Sequence, residues 1–332
     1  MKMGNLQVGL IGIGVMGKHH ARILNSLEGV DLIGIVDPGQ SAYIKNLYPQ
    51  LEIFAKPKEL SDKKLDYCVI AAPTGFHKQI AIDMLKAGVH CLIEKPVALN
   101  YTDAQLIKEH TLNGSLIVGV GHIERYNAAI RELRKRILNG ELGEIYELSF
   151  RRQGPFPSRI DDVGVVKDLA THDIDLAIWL TGHNFTKVSG HVINKSGRIH
   201  EDLVSINGLL SNNVIVNMSV NWLSPYKERK LVVTCEKGAY TVDLLSAELK
   251  FYENGSHKVS QETYLHFNGV TQGNITNYAF DKPEPLLIEH LNFQKAILGQ
   301  DAEIVSLVDG IEVLRVADAV IKSSLEGLTV QL

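Results

Sequence analysis

Short apolar runs alternate with stretches of helical period over the first third of the chain. The runs Leu6–Gly12, Asp31–Val36, Glu52–Ala55, Asp66–Ala71, Val89–Glu94 and Leu116–Val120 read as strands. Between them, Val15–Leu27, Gly39–Leu47, Phe76–Ala87 and Thr102–Thr111 read as helices, the last opened by a capping box at Thr102-Asp103-Ala104-Gln105. This alternation predicts a doubly wound parallel sheet with helices on both faces, whose ligands sit beyond the carboxyl ends of the strands. After Val120 the pattern changes. A helix is expected over Asn127–Leu138, followed by alternating strands at Gly143–Arg152, Val188–Ile193, Leu203–Leu210, Val214–Asn221, Lys230–Cys235, Ala239–Asp243 and Glu248–Tyr252. Short turns such as Ser211-Asn212-Asn213 join them, so this sheet should be mostly antiparallel. Amphipathic helices at Glu284–Leu298 and Asp309–Ser324 close the chain. The fold class is therefore α/β, a doubly wound domain over 1–122 followed by an α+β domain over 123–332 with an open sheet.

The first strand runs into Gly12-Ile13-Gly14-Val15-Met16-Gly17, a G-x-G-x-x-G turn that opens a helix. Strand, glycine turn and helix together are the context in which this motif means dinucleotide binding. Gly12 permits the tight turn, Gly14 lets the backbone approach a pyrophosphate, and Gly17 lets helix and strand pack closely. The anion would rest on the free N–H groups where Val15 and Met16 begin the helix. The second strand ends at Asp37, about twenty residues past the last glycine, where a carboxylate for the ribose hydroxyls is expected. That acid favours NAD over NADP, since a 2′-phosphate would bring like charge against it.

Two further strand ends carry candidate chemistry. Ala71-Ala72-Pro73-Thr74 follows the fourth strand, which would put Pro73, Thr74 and His77 beside the cofactor; Thr74 could equally cap the next helix. Glu94-Lys95-Pro96 sets a charged pair after the apolar Cys91-Leu92-Ile93. It is either a solvated strand end or a lysine aimed where a nicotinamide would lie, able to donate to a substrate oxygen. In the second half, Lys167–Leu180 reads as a helix closed by Thr181-Gly182. Asp168, His172 and Asp175 would lie within about 60° on one face of it. Such a face is commonly solvated; here an Asp one turn before a His could also orient the imidazole for acid–base work.

Composition narrows the classes. The 332 residues hold 34 Lys plus Arg against 38 Asp plus Glu, a net charge of -4, with no basic excess for nucleic acid and no charged tail. No signal peptide or membrane-spanning run is visible, so a cytoplasmic location is the default. Cys68, Cys91 and Cys235 form no C-x-x-C pair and read as buried reduced thiols. The 13 histidines show no zinc spacing, and the adjacent His19 and His20 would point in different directions on a helix, so no metal is expected.

Taken together, the Gly12–Gly17 turn, Asp37, Glu94-Lys95-Pro96 and Asp168-Leu169-Ala170-Thr171-His172 resemble the Gfo/Idh/MocA family along essentially the whole chain. The resemblance implies a Rossmann domain with NAD and a C-terminal domain whose open sheet makes a homodimer or homotetramer contact. It also implies a cis Lys95–Pro96 bond and a catalytic set matching Lys95, Asp168 and His172. Three stretches, 118–127, 151–159 and 221–229, look like the branch that acts on UDP-activated amino sugars. They contain Arg125, Arg151, Arg152, Arg159, Lys227 and Arg229, which form either a solvated basic rim or a grip for a diphosphate. Arg125, Arg152, Arg159, Trp222 and Arg229, with Lys95 and His172, are the substrate-binding candidates; Trp222, Tyr226 and Phe156 could stack on a base or sugar or serve ordinary packing. The expected activity is NAD-dependent oxidation of a sugar hydroxyl carbon, UDP-N-acetylglucosamine at C3 first among substrates. Inositol or free-sugar dehydrogenases are the alternative enzyme, and a cofactor-binding sensor without turnover is the alternative class. The joint presence of Lys95, Asp168 and His172 argues against the sensor.

Overall fold

The structure is a computed structural model that describes residues 5–39, 42–111, 114–157, 162–255 and 271–332. The chain divides into two compact units. One takes Met1–Ile123 with Ile160–Val163 and Glu284–Asp318; the other takes Glu124–Arg159, Gly164–Pro283 and Ala319–Leu332.

In the first unit, six strands β1 (Leu6–Ile11), β2 (Val30–Val36), β3 (Glu52–Phe54), β4 (Tyr67–Ile70), β5 (His90–Glu94) and β6 (Val118–Gly121) form a sheet in the order β3-β2-β1-β4-β5-β6. Every pairing is parallel, which is the six-strand Rossmann arrangement. Helices α1 (Val15–Leu24), α2 (Ala42–Leu47), α3 (Pro57–Ser61), α4 (Thr74–Lys86) and α5 (Tyr101–Glu109) make the connections. Because both faces are covered, β4 is buried throughout, and Tyr67, Cys68, Val69 and Ile70 each expose 0% of their surface. The order reverses between β1 and β4, so the crevice for a ligand opens at their carboxyl ends.

Two capping expectations change. α5 starts at Tyr101, and its cap is Asn100, whose side chain accepts from the Asp103 N–H at 2.9 Å, instead of a box built on Thr102. α4 starts at Thr74 itself with Pro73 as its N-cap, so the Thr74 hydroxyl does not cap the helix. The Thr74 N–H donates instead to Asp162 at 2.8 Å.

The expected division at residue 122 differs from the observed one because a late helix packs with the first sheet. Beyond α5 come α6 (Ala128–Leu138), α7 (Thr171–Thr181) and this late helix, α8 (Pro285–Ile297). Phe293 of α8 joins the core cluster of Leu10, Val69 and Leu92 and meets Tyr67 edge-on, ring centroids 5.4 Å apart. Gly119 of β6 leaves room for that ring; an added Cβ there would come within 2.9 Å of it.

The second unit is built on nine strands: β7 (Ile145–Pro155), β8 (Phe185–Ile193), β9 (Leu203–Leu210), β10 (Ile215–Asn221), β11 (Leu223–Cys235), β12 (Gly238–Asp243), β13 (Glu248–Gly255), β14 (Thr271–Asn277) and β15 (Val330–Gln331). Their order is β14-β13-β12-β11-β7-β10-β9-β8-β15, and β7 with β10 is the parallel pair in an otherwise antiparallel sheet. β11 begins seven residues before the expected Lys230. Its first half is polar, contains Pro225 and shifts register against β7 between Leu223 and Glu228, so no period-2 apolar signal marks it. A last helix, α9 (Leu307–Glu326), precedes β15.

Candidate functional site

The dinucleotide candidates in the first unit line up along the carboxyl ends of neighbouring strands. Gly12 follows β1 with φ +93°, and a Cβ there would meet the Ala71 carbonyl and the Ala72 nitrogen at 2.6 Å. This close approach joins the β1 and β4 ends at the topological switch. Gly17 lies on α1 against the Gly12 carbonyl, where a Cβ would stand at 2.1 Å, so helix and turn pack at glycine distance. Gly14, the N-cap, differs: a Cβ there would touch nothing within 4 Å. α1 has no side-chain cap and no acid in its first turn, and Val15 is 49% exposed. An open glycine in front of uncapped N–H groups fits a pyrophosphate, which supplies the missing acceptors.

Asp37 follows β2, and its N–H donates to Phe54 while a carboxylate oxygen accepts from the Gly39 N–H at 3.2 Å. Gly12 donates to Val36 at the end of the β1–β2 pair, so the glycine turn and the acid belong to adjacent strand ends. His77 on α4 is buried, with Nδ1 at 2.9 Å from the Pro96 carbonyl and Nε2 at 2.7 Å from the Ala72 carbonyl. It bolts the turn after β4 to the turn after β5. Burial pushes this imidazole below its ordinary range, and the two carbonyl contacts oppose that shift. The Lys95–Pro96 bond is cis, as the resemblance implies. Glu94 is buried behind Lys95 and accepts from His20 and from the Lys95 N–H.

In the second unit, Val166–Ala170 forms a π turn that leads into α7, and Gly182 closes α7 in the left-handed region at φ +71°. The angle expected from 3.6 residues per turn therefore does not describe Asp168 against His172, because the wider turn intervenes. Nor is the polar face solvated. Asp168, His172, Asp173 and Asp175 expose 5%, 8%, 1% and 0% of their surface. Asp175 grips Arg125 through two nitrogens, the shorter contact being 2.6 Å. Arg152 on β7 lies between Asp173, at 2.8 Å, and Glu124, at 2.9 Å. Burial alone would lower Arg152, but the two carboxylates hold it above its ordinary value.

The expected basic cluster thus separates by environment. Arg125 and Arg152 are interior ion-pair members. Arg229, 38% exposed at its side chain, reaches Glu124 at 3.3 Å, while burial and the Arg152 charge push it below its usual range. Arg151 is open to solvent beside Glu228. Trp222 is buried and meets Phe156 edge-on at 5.2 Å, so its ring serves packing. Arg159 lies outside the described residues. Sequence reading missed Glu124 and Asp173, which fix Arg152, and His20 and His290, which stand behind Glu94; all four act across long sequence separations that leave no local pattern. Among the described residues no cluster of metal-ligating side chains occurs, and no helix is long and apolar enough to cross a membrane.

Residues 6–122 match the model of an oxidoreductase family with an NAD-binding Rossmann fold, and residues 130–241 match the GFO/IDH/MocA C-terminal domain. Among curated proteins, a UDP-N-acetylglucosamine 3-dehydrogenase of Acidithiobacillus ferrooxidans is 28% identical over 77% of this chain and 80% of its own length. An inositol 2-dehydrogenase of Saccharopolyspora erythraea is 26% identical over 65% of this chain and 66% of its own. Among solved structures, UDP-N-acetylglucosamine 3-dehydrogenase GnnA from Acidithiobacillus ferrooxidans superposes with a TM-score of 0.84 at 26% identity, covering 97% of this chain and 98% of that one.

Proposed function

Because the chain belongs to the Gfo/Idh/MocA family of NAD-dependent oxidoreductases, we propose that it oxidises a UDP-linked N-acetylhexosamine, with UDP-N-acetylglucosamine at C3 as the substrate of choice. The observation that carries this reading is the likeness to a dehydrogenase of that substrate over nearly the full length of both chains. NAD, when bound, supplies the hydride acceptor. Lys95 or His172 removes the hydroxyl proton, Asp168 orients His172, and Lys95 in its protonated form stabilises the developing oxyanion. The ion pairs of Arg125 and Arg152 withdraw both from the diphosphate grip and leave Arg229, with Arg151, Arg159 and Lys227, as its cationic candidates. A free sugar or inositol would make no use of these cations.

The second reading, an inositol dehydrogenase, is favoured by the inositol 2-dehydrogenase among the relatives. A panel of UDP-N-acetylglucosamine, UDP-N-acetylglucosaminuronate, myo-inositol and glucose with NAD, followed by absorbance of the reduced cofactor, decides between them. Turnover of UDP-N-acetylglucosamine supports the first reading; turnover of myo-inositol or glucose alone replaces it. By the same resemblance the open sheet of the second unit makes the contact of a homodimer or homotetramer, which light scattering at micromolar concentration tests.

Cofactor choice is a separate prediction. Asp37→Ser with Pro38→Arg removes the carboxylate and adds a guanidinium for a 2′-phosphate, so the ratio of kcat/KM for NADP over NAD should rise by about tenfold or more. An unchanged ratio would take the ribose contact away from Asp37.

A further inference from the structure

Behind the carboxyl end of β5 lies a buried set of titratable side chains that the proposed chemistry does not use. Glu94 ends β5, and its register partner on β6 is Gly121. A Cβ on Gly121 would come within 3.2 Å of the Glu94 carboxylate, so the glycine makes the room that this acid occupies. His20 from α1 places Nε2 at 2.9 Å from Glu94 Oε1. His290 from α8 places Nε2 at 2.9 Å from His20 Nδ1. The other Glu94 oxygen accepts from the Lys95 N–H at 3.1 Å. His20 and His290 expose 1% and 0% of their surface. All of these residues belong to the first unit.

The geometry restricts the protons. An ionised carboxylate only accepts, so His20 Nε2 carries a hydrogen, and a second hydrogen lies between the two imidazoles. Burial on its own would raise Glu94, yet the His20 hydrogen bond and charge, with Lys95, hold it below the usual carboxylate range. The same burial pushes His290 well down and keeps it neutral. Glu289, the other acid facing this pocket from α8, has no hydrogen-bond partner at either oxygen among the described residues, and burial together with the Glu94 charge raises it well above its ordinary value. His77 on α4 also feels the Glu94 charge, with both of its nitrogens already on backbone carbonyls. The pocket therefore holds one carboxylate charge, on Glu94, facing His20, His290, His77, Lys95 and a neutral Glu289.

We propose that His20 and His290 are positioning residues of the dehydrogenase: linked in series behind Glu94, they keep its carboxylate fixed and ionised at the strand end where Lys95 and the nicotinamide half of NAD meet. This rests on the assignment of the Glu94–Lys95 strand end to the cofactor. An unsupported carboxylate at this depth would take up a proton, turn from acceptor to donor and lose its hold on the Lys95 backbone.

Fluorescence titration with NADH across about pH 6 to pH 8 tests the proposal without any sugar. His20→Leu removes the donor, so Glu94 protonates as pH falls. The NADH affinity of this variant should drop about tenfold more than that of the wild type over that range, because a buried carboxylate stripped of its donor rises into it. His20→Gln keeps an N–H donor and should restore the wild-type profile to within about threefold. His290→Leu, which removes the outer ring only, should give an acid limb of the same sign, and it carries the comparison if His20→Leu does not fold. A folded leucine variant with the wild-type pH profile overturns the proposal. Glu94→Gln separates the two assignments. If it changes NADH binding while the histidine variants do not, the strand end remains a cofactor contact and the histidines are packing. If none of the variants alters NADH binding, both assignments fall.

Discussion

Lys95→Ala and His172→Ala are each expected to lower kcat by roughly a hundredfold or more, with NAD affinity nearly unchanged. The magnitude follows from the loss of a positioned acid–base group. The selectivity follows from where the cofactor contacts are assigned: the glycine turn Gly12–Gly17 and Asp37 carry the pyrophosphate and a ribose, and neither substitution touches them. The scaffold supports a clean comparison. His172 sits on α7, where the neighbouring Asp173 and Asp175 are tied down by buried arginines. Lys95 departs from a strand end whose turn is bolted by His77 to the turn after β4. A further variant separates the two roles open to Lys95. Lys95→Arg keeps a cation that can stabilise an oxyanion but cannot act as a base near neutral pH. Substantial kcat in Lys95→Arg would therefore assign the base to His172, whereas a loss equal to that of Lys95→Ala would assign it to Lys95. Near-normal turnover in both alanine variants would remove the catalytic assignment altogether.

The parts of the molecule legible in the sequence are those written in local period. Strands β1 to β6 announce themselves as apolar runs, and the glycine turn is legible because Gly12 and Gly17 each answer a steric demand within six residues. The second sheet is legible where polar and apolar positions alternate, as at Leu203–Leu210, and silent at the polar start of β11. What the sequence hides is pairing over distance. The Asp168–Asp175 stretch shows acids at helical spacing, which commonly means a wet surface, and nothing local reveals that Arg125 lies 50 residues from Asp175 in sequence and meets it inside the core. The arginines depart from expectation in the same way: the local pattern marks them as a basic rim or a diphosphate grip, but the fold buries two of them against acids. The pair of histidines behind Glu94 joins positions 270 residues apart, beyond the reach of any periodicity. Likewise, α8 looks like a late helix of the second half, and only the fit of Phe293 over Gly119 and Tyr67 shows that it packs with the first sheet.

Arg152→Met should destabilise the protein by about 3–5 kcal/mol, the cost of breaking a buried ion cluster from one side. The substitution keeps an unbranched apolar stem of similar length but removes the Arg152 donors from Glu124 and Asp173, which expose 6% and 1% of their surface. Asp173 is already raised by burial even with Arg152 beside it, and one of its oxygens has no hydrogen-bond partner among the described residues, so it has little to fall back on. The sign of the pH dependence follows. Without the guanidinium Asp173 rises further above its unfolded value, the folded state binds more protons than the unfolded state, and stability is lost as pH rises through the raised value. The deficit relative to the wild type should therefore be larger at about pH 8 than at about pH 5, whereas loss of an exposed salt bridge, whose acid is ionised at both, would cost nearly the same at each. Urea denaturation at the two pH values measures it. If Asp173→Asn is then added to Arg152→Met, one buried charge disappears and part of the lost stability should return, with a weaker pH dependence. A variant as stable as the wild type at both pH values would mean that solvent reaches the cluster and that Arg152 is available to a ligand after all, which would return it to the diphosphate grip.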